Sequence, residues 1–149
     1  MARGGVFTTS LDAEAAFYDA FGSGDVGAMM RVWAEGVEIA CIHPSGPRLT
    51  GTASIRRSWE HILAEHMARS FDLRGRIVSG SADVRVHTLE ENITVPGTRF
   101  VAPPVLATNV YQQFAGGWYM ILHHASVAPQ PVGGGRRAPP AEPPPERLH

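Results

Sequence analysis

Residues 105–128 read VLATNVYQQFAGGWYMILHHASVA, a stretch with the pattern of two strands joined by a turn. Its two halves are rich in β-branched and aromatic side chains, which favour extended strands. Between them, Ala115-Gly116-Gly117 has the composition of a tight hairpin turn. The stretch therefore predicts two long antiparallel strands, Val105 to Phe114 and Trp118 to Ala128.

The strand pattern continues upstream of this hairpin. Residues 71–77 alternate apolar and polar side chains, residues 82–95 form a long strand, and Ser79-Gly80-Ser81 is a turn between them. Val37 to Ile42 is a short apolar strand, followed by a Pro/Gly loop over residues 43–47. Short turns between consecutive strands favour an antiparallel sheet.

Three helices are predicted before most of the sheet. Ser10 is the expected cap of the first, with acidic residues in the first turn, and Gly22-Ser23-Gly24 ends it. Asp25 caps the second helix and Thr52 is the expected cap of the third. Three such helices must cover one face of the sheet. A long, bent sheet beneath them leaves a cone-shaped pocket between the layers.

Composition limits the classes of protein that are compatible with the chain. A length of 149 residues suits one domain. The net charge of −1 gives no reason to expect a nucleic acid or an anionic membrane as partner. The one cysteine, Cys41, excludes an internal disulfide and a Cys-rich metal site, which fits a reducing cytoplasm. Residues 1–10 do not resemble a secretory signal, so we expect a cytoplasmic location.

The predicted domain occupies residues 10–128. Residues 1–9 are expected to be a flexible leader. Residues 129–149 hold seven of the 12 prolines together with Gly133-Gly134-Gly135. Such a segment buries too little apolar surface to order itself, so the tail is predicted to be disordered.

Several segments resemble the nuclear transport factor 2-like superfamily, in particular its SnoaL-like branch. They are Phe17 to Phe21 followed by Gly24-Asp25, Val32 to Glu35, Cys41 to Pro47 leading to Gly51, Ile55 to Trp59, and Gly117 to Ser126. The resemblance covers about residues 10–129. It implies a cystatin-like α+β cone, in which three N-terminal helices pack on a curved antiparallel sheet that encloses a pocket. The superfamily includes isomerases, cyclases, dehydratases and assembly domains.

Ketosteroid isomerases, which are members of this superfamily, offer one reading of the site. They use a carboxylate before a proline at the end of the first strand, a helix-1 tyrosine and a protonated late-strand acid. In this sequence those positions hold His43, Phe17 with Tyr18 beside it, and Asn109 or Val110. All three positions differ, so this mechanism is not expected.

The SnoaL-like cyclases and the kinase association domains offer two other readings. The cyclases need one acid/base in an apolar pocket, and one of Glu90 and Glu91 must face inward on a regular strand. The last strand resembles that of the association (hub) domain of calcium/calmodulin-dependent kinases through His124, Ser126 and Pro129. Ala125 and Leu122 replace the arginine and the histidine of that pocket.

Two histidines are the predicted catalytic residues. His43 ends the first strand on the parity of Cys41, and His124 shares its parity with Trp118, Met120 and Leu122, so both are expected to face the pocket. Histidine can act as acid or base near neutral pH.

The predicted ligand-binding residues are Tyr18, Trp33, Trp59, Glu90, Asn109, Trp118 and Met120. No metal is expected, because adjacent histidines on a strand, His123 and His124, point to opposite faces. Cys41 is interpreted as a buried apolar residue, since about 7 Å separates alternate strand positions.

The sequence thus predicts a domain that binds a small, largely apolar molecule without a metal or organic cofactor. Any chemistry would be that of an isomerase, cyclase or dehydratase with histidine as acid/base. The alternative is a non-catalytic dimerisation or scaffold domain with a vestigial pocket. A homodimer through the open sheet face is expected in either case, because the strands carry apolar residues on both faces, as at Ile121 and Leu122.

Overall fold

In the computed structural model, helices cover one face of a six-stranded sheet within the described residues, which are 6–64, 68–99 and 101–130. The predicted tail beyond residue 130 and the first five residues of the predicted leader lie outside them. The elements are α1 Ser10–Ser23, α2 Val26–Val32, β1 Ala40–Ile42, β2 Arg48–Thr50, α3 Thr52–Leu63, β3 Ser70–Gly80, β4 Val84–Thr94, β5 Val105–Phe114 and β6 Gly117–Val127. None of these helices is long and apolar enough to span a membrane.

The predicted α+β cone is confirmed, with one difference in the sheet. Its strand order is β2-β1-β6-β5-β4-β3. The long strands β3 to β6 pair antiparallel in sequence order, as expected for strands joined by short turns. Strand β1, however, lies parallel to β6, with Ala40 opposite Leu122. The sheet is therefore mixed, because the long stretch of chain between β1 and β6 permits a parallel pairing.

A strand that the sequence did not predict follows the Pro/Gly loop. Arg48–Thr50 pairs antiparallel with β1, with Leu49 opposite Cys41. The loop itself is tight, since the Gly46 amide donates to the His43 carbonyl at 2.8 Å. A three-residue strand that comes just after a proline is too short to show alternation, which explains why the pattern missed it.

The helix starts agree with the sequence in one case out of three. Thr9, and not Ser10, caps α1, because its hydroxyl accepts from the Asp12 amide at 3.0 Å. Asp25 caps α2 as predicted and accepts from the Ala28 amide at 2.9 Å. Helix α3 begins after Gly51, which has a φ of 80°, so Thr52 is its first residue and not its cap. Ser10 therefore does not cap the helix, and it is buried in the protein interior.

Part of the predicted leader is attached to the sheet. The Phe7 carbonyl accepts from the Trp118 amide at 2.9 Å, and the Phe7 ring lies 6.0 Å from that of Tyr119. Gly117 makes this approach possible, because its φ is 124° and a Cβ there would lie 2.8 Å from the Phe7 carbonyl oxygen.

The main core lies between the helices and the sheet. The Phe17 ring packs edge-on against Trp59, with centroids 5.6 Å apart, and both side chains are fully buried. Trp33 and Met120, two predicted ligand-binding residues, also belong to this core. Burial of each such side chain contributes about 1.5–3 kcal/mol, so these residues stabilise the stacked layers.

A β-bulge in β6 decides which side chains face the helices. Val110 pairs with Leu122 while Tyr111 pairs with Met120, so Ile121 is an extra residue. The extra residue reverses the alternation, and both Met120 and His123 therefore point to the helix side. The expectation that His124 shares a face with Met120 is wrong for this reason.

Candidate functional site

A row of polar side chains lies buried between α1 and β4. On α1 they are Ser10, Glu14 and Tyr18, spaced four residues apart, and on β4 they are His87 and Glu91. From Ser10 to Tyr18 the helix rises about 12 Å, and four strand residues advance about 13 Å. The polar groups of the two elements consequently meet in register. We call this row the α1–β4 seam.

One end of the seam continues as a chain of four hydrogen-bonded side chains. His123 Nδ1 lies 2.6 Å from Asn109 Oδ1, Asn109 Nδ2 lies 2.9 Å from Tyr18 Oη, and Tyr18 Oη donates to Glu91 Oε2 at 2.5 Å. The Asn109 carbonyl oxygen can only accept, which assigns the proton of His123 to Nδ1. Every donor then points towards Glu91. We call this the Glu91 chain.

Burial sets the protonation of the Glu91 chain. It raises the pKa of Glu91 from 4.5 to about 7, although the hydrogen bond from Tyr18 opposes the shift. It also raises the pKa of the Tyr18 phenol, and the Glu91 charge adds to that effect. The pKa of His123 falls to about 3 through burial and the neighbouring His43 and His124. Near neutral pH the chain holds a neutral imidazole and a carboxyl that can gain or lose a proton.

At the other end of the seam Glu14 is bonded to Arg76 and His87. Arg76 forms an ion pair with Glu14 Oε1 through Nη2 at 2.6 Å and Nε at 2.7 Å. His87 Nδ1 lies 2.5 Å from Glu14 Oε2, and His87 Nε2 lies 2.8 Å from the Ser10 hydroxyl. Every polar atom of the Glu14 carboxylate is therefore paired, as a buried charge requires.

Tyr111 lies between the two ends of the seam. Its ring centroid is 4.8 Å from that of His87, and the charges of Glu14 and Glu91 add to burial in raising its pKa. Its hydroxyl is buried and has no hydrogen-bond partner among the described residues. An unpaired buried donor costs about 1–3 kcal/mol, so a polar atom from outside the described chain would be stabilised there.

His43 lies on the helix side of the sheet, where the strand parity predicted it. Its Nε2 atom is 3.0 Å from the Ser58 hydroxyl, which itself donates to the Ile55 carbonyl at 2.7 Å. Ser58 can therefore only accept from His43, so His43 carries its proton on Nε2 and a lone pair on Nδ1. The ring is half-buried and 6.2 Å from that of His123, and burial lowers its pKa.

Cys41 and His43 approach more closely than strand spacing predicted. Cys41 Sγ lies 3.5 Å from His43 Nε2, because the two side chains lean towards each other beneath α3. Burial raises the pKa of the Cys41 thiol to about 12, so the sulfur stays protonated at neutral pH. The contact therefore does not make Cys41 a nucleophile.

Two predicted site residues lie on the opposite face of the sheet. His124 is exposed and sits between Ile42 and Thr108, so it cannot share a cavity with His43. Glu90 also faces outward, where it accepts from Asn92 Nδ2 at 3.0 Å. The bulge at Ile121 explains the first correction, and the regular alternation of β4, which turns Glu91 inward, explains the second.

The remaining predicted residues divide between the polar chain and the core. Tyr18 and Asn109 belong to the Glu91 chain, whereas Trp33, Trp59, Trp118 and Met120 are buried packing residues. The indole nitrogens of Trp33 and Trp59 have no hydrogen-bond partner within the described ranges. Sequence reasoning missed the interior polar groups Ser10, Glu14, His87, Tyr111 and His123. It also missed Arg76, which is exposed and reaches Glu14 from the surface.

A groove of about 750 Å³ runs between α1 and β3. Glu14, Tyr18 and Arg76 contribute to its wall, and its apolar lining includes Leu11, Ala15, Phe71 and Leu73. Tyr18 links this groove to the interior, because its side chain lines the groove and its hydroxyl bonds Glu91. A second concavity of about 960 Å³ lies where β1, β2 and β6 meet.

The polar side chains of the seam are better suited to proton transfer than to binding a metal ion. In the part of the chain that the structure describes, no three His, Cys, Asp or Glu side chains converge as ligands. Arg76 occupies one oxygen of Glu14 and His87 the other, which leaves neither free for a cation.

Comparison with known proteins gives one family and several relatives. Residues 11–130 match the family model described as the SnoaL-like domain. The F-box protein SKIP8 of Arabidopsis thaliana is 33% identical over 105 residues, which make up 67% of this chain. The match covers 41% of SKIP8, so the chain spans less than half the length of that relative.

Two crystal structures share both fold and sequence with the chain. A provisionally assigned calcium/calmodulin-dependent protein kinase type II association domain from Thiobacillus denitrificans is 35% identical, with a TM-score of 0.77, and the match covers 84% of this chain and 99% of that one. A provisionally assigned dehydratase of the NTF2-like family from Streptomyces avermitilis is 31% identical, with a TM-score of 0.71 and coverage of 79% and 92%.

Replacing Glu91 by Gln should change how stability depends on pH. The folded-state pKa of Glu91 is raised, so its contribution is fully present below pH 4.5 and is lost as the pH rises through about 7. His123 has a lowered pKa, so its contribution is present above 6.5 and is lost towards pH 3. Between pH 4.5 and 6.5, the stability of the wild type therefore falls with rising pH through Glu91 and increases with rising pH through His123.

Without the Glu91 carboxyl, only the contribution of His123 to the pH dependence of the unfolding free energy remains from this pair. The unfolding free energy of Glu91→Gln, minus that of the wild type, should therefore grow by about 1.4 kcal/mol per pH unit between pH 4.5 and 7. Urea denaturation at a series of pH values measures this difference. Glu90→Gln, on the outer face, controls for the loss of one carboxyl. A constant difference for Glu91→Gln across this range would contradict the assignment.

Proposed function

The chain belongs to the SnoaL-like domain family, and we propose that it is a cofactor-independent acid–base enzyme acting on a small, largely apolar carbonyl compound. The observation that carries the proposal is the interior Glu91 carboxyl, whose pKa is raised to about 7. A general base works best when its pKa is near the operating pH. The Streptomyces relative, provisionally assigned as a dehydratase, supports elimination of water as the reaction class.

In the proposed mechanism Glu91 acts as the base. Its carboxylate removes the proton next to the substrate carbonyl, and the Tyr111 hydroxyl, which lacks a partner in the described chain, donates to the carbonyl oxygen where negative charge develops. The C–O bond to the leaving hydroxyl then breaks as the double bond forms. The proton gained by Glu91 is transferred to the leaving group, which departs as water. Return of the proton to another carbon would instead give an isomerase.

Tyr18 and Asn109 act as positioning residues in this mechanism. The 2.5 Å hydrogen bond from Tyr18 favours the ionised form of Glu91, and the Asn109 amide holds the Tyr18 hydroxyl in that direction at 2.9 Å. Entry would be through the α1–β3 groove, which Tyr18 lines. The groove wall combines the apolar Leu11, Phe71 and Leu73 with the charged Asp19 and Arg76, so it fits a substrate with an apolar body and a polar group.

The scaffold alternative is less well supported by the interior. A domain that serves only for assembly gains nothing from a carboxyl that burial keeps near half-protonation, because apolar side chains would fill the same space at lower cost. The partner of Glu91 is a neutral hydroxyl, whereas Glu14 is paired with the Arg76 guanidinium. Perturbed groups of this kind concentrate at functional sites.

Deuterium exchange tests the proposed base. The wild type, incubated in D₂O with a panel of small ketones and β-hydroxy thioesters, should incorporate deuterium next to the carbonyl of at least one compound, as measured by proton NMR. Glu91→Gln should reduce that rate by about 10²-fold or more, because general-base assistance contributes that much. Tyr111→Phe should reduce it by about 10²-fold through loss of the oxyanion donor.

Glu90→Gln is the matched control, since it makes the same change one residue away on the other face of β4 and should leave the rate unchanged. An exchange rate that survives Glu91→Gln in a folded protein would exclude Glu91 as the base. If no compound of the panel exchanges or binds, the scaffold alternative would be favoured.

We also propose that the domain forms a homodimer through the outer face of the sheet. Ile77 and Leu106 are 65% and 45% exposed there, with the half-buried Val86, Val110 and Leu122 beside them on the same face. An apolar surface on neighbouring strands is typical of a partner interface, and two-fold packing is the commonest way to cover one.

Light scattering at micromolar concentration should give the mass of a dimer. Leu106→Arg places a charge on the outer face of the sheet and should shift the protein to the monomer. Val78→Arg is the control, because Val78 is 42% exposed at the edge of the opposite face. A wild-type monomer, or an equal effect of both substitutions, would contradict the proposed interface.

A further inference from the structure

Three side chains of the seam are arranged as a nucleophile, a base and an orienting acid. The Ser10 hydroxyl lies 2.8 Å from His87 Nε2, and His87 Nδ1 lies 2.5 Å from Glu14 Oε2. These are the distances and the order of groups that activate a serine for acyl transfer. The proposed acid–base chemistry at Glu91 uses none of the three residues.

The hydrogen-bond partners fix the direction of the protons. Glu14 Oε1 is engaged by the Arg76 guanidinium, so the carboxylate accepts at Oε2 from His87. His87 Nδ1 therefore donates to Glu14, and in the neutral imidazole Nε2 presents its lone pair to Ser10. In that tautomer Ser10 donates its hydroxyl proton to the imidazole, as a nucleophilic serine must.

In a second serine–histidine pair of the protein, the hydrogen bond runs in the opposite direction, from the histidine to the serine. Ser58 donates its proton to the Ile55 carbonyl at 2.7 Å and accepts from His43 Nε2 at 3.0 Å. His43 thus cannot deprotonate Ser58. Proximity to a histidine does not distinguish Ser10, whereas the presence of Glu14 behind His87 does.

Ser10 is buried but is the most accessible member of the triad. It is 8% exposed, whereas Glu14 is 1% exposed and His87 fully buried. It is the first residue of α1, where the amides of the first turn have no acceptor within the helix. The Asp12 amide is bonded to the Thr9 hydroxyl, so the proposed site would use the amides of Ser10 and Leu11 to stabilise an oxyanion.

We propose that Ser10 is an acyl-accepting nucleophile for esters with an aliphatic acyl group. Its oxygen attacks the carbonyl carbon while its proton passes to His87 Nε2. The bond to the leaving alcohol then breaks, and the alcohol takes that proton from His87. Water, deprotonated by the same imidazole, hydrolyses the acyl-serine and restores the free hydroxyl. The apolar side chains of the α1–β3 groove that lie nearest to Ser10 on α1, Leu11 and Ala15, are the proposed contacts of the acyl chain.

A fluorophosphonate probe tests the proposal directly. Ser10 Oγ would bond to phosphorus as fluoride leaves, which adds one phosphonyl group per chain. Intact-mass and peptide mass spectrometry of the native protein should place the adduct on the peptide that contains Ser10. Ser10→Ala should abolish it, and Ser58→Ala, the matched control, should label like the wild type.

Hydrolysis of p-nitrophenyl butyrate should fall by about 10²-fold in Ser10→Ala and stay unchanged in Ser58→Ala.

Access to Ser10 is tested separately with Ser10→Cys. The thiol introduced by this substitution should react with iodoacetamide in the folded protein faster than Cys41, which is fully buried. Circular dichroism confirms that each variant is folded. A folded wild type that takes up no probe, labelling that persists in Ser10→Ala, or an introduced thiol in Ser10→Cys that is unreactive until unfolding would each overturn the proposal. None of these results bears on deuterium exchange at Glu91.

Discussion

The buried side-chain hydrogen bonds that join α1 to β4 fix the position of the helix on the sheet. Because four helix residues and two strand residues advance the chain by nearly the same distance, polar groups at Ser10, Glu14 and Tyr18 meet His87 and Glu91 in one buried row. A shift of one strand residue would bury these groups without partners, at a cost of several kcal/mol for a charge. The seam therefore specifies the register of the helix on the sheet as well as the chemistry of the interior.

The two acids of the seam show how environment separates their roles. Glu14 is paired with Arg76 and His87, so its charge is compensated. Glu91 has a hydroxyl as its partner, and burial raises its pKa to about 7. Two carboxyls on facing elements thus present one group held in an ion pair and one exchangeable proton.

The sequence predicted the α+β cone well and the interior of the cone less well. Strands β3 to β6 and the caps Asp25 and Gly24 follow from local patterns, which act within a few residues. His124 was misplaced because the bulge at Ile121 is a property of strand pairing and leaves no mark on the alternation. Local patterns place Ser10 and the acidic residues that follow it at the start of the helix and cannot show their partners, because the partner of Ser10 and Glu14, His87, lies more than 70 positions away in sequence. Glu91 was one of two alternatives that strand parity left open.

The proposed function depends on Glu91 as an interior acid that titrates near neutral pH. Carbon-13 NMR of the side-chain carboxyls in protein labelled at glutamate measures this directly, and Glu91→Gln assigns the resonance by its disappearance. One carboxyl should titrate with a pKa of about 7 and be missing from the variant. A Glu91 resonance that titrates at the ordinary value of 4.5 would contradict it.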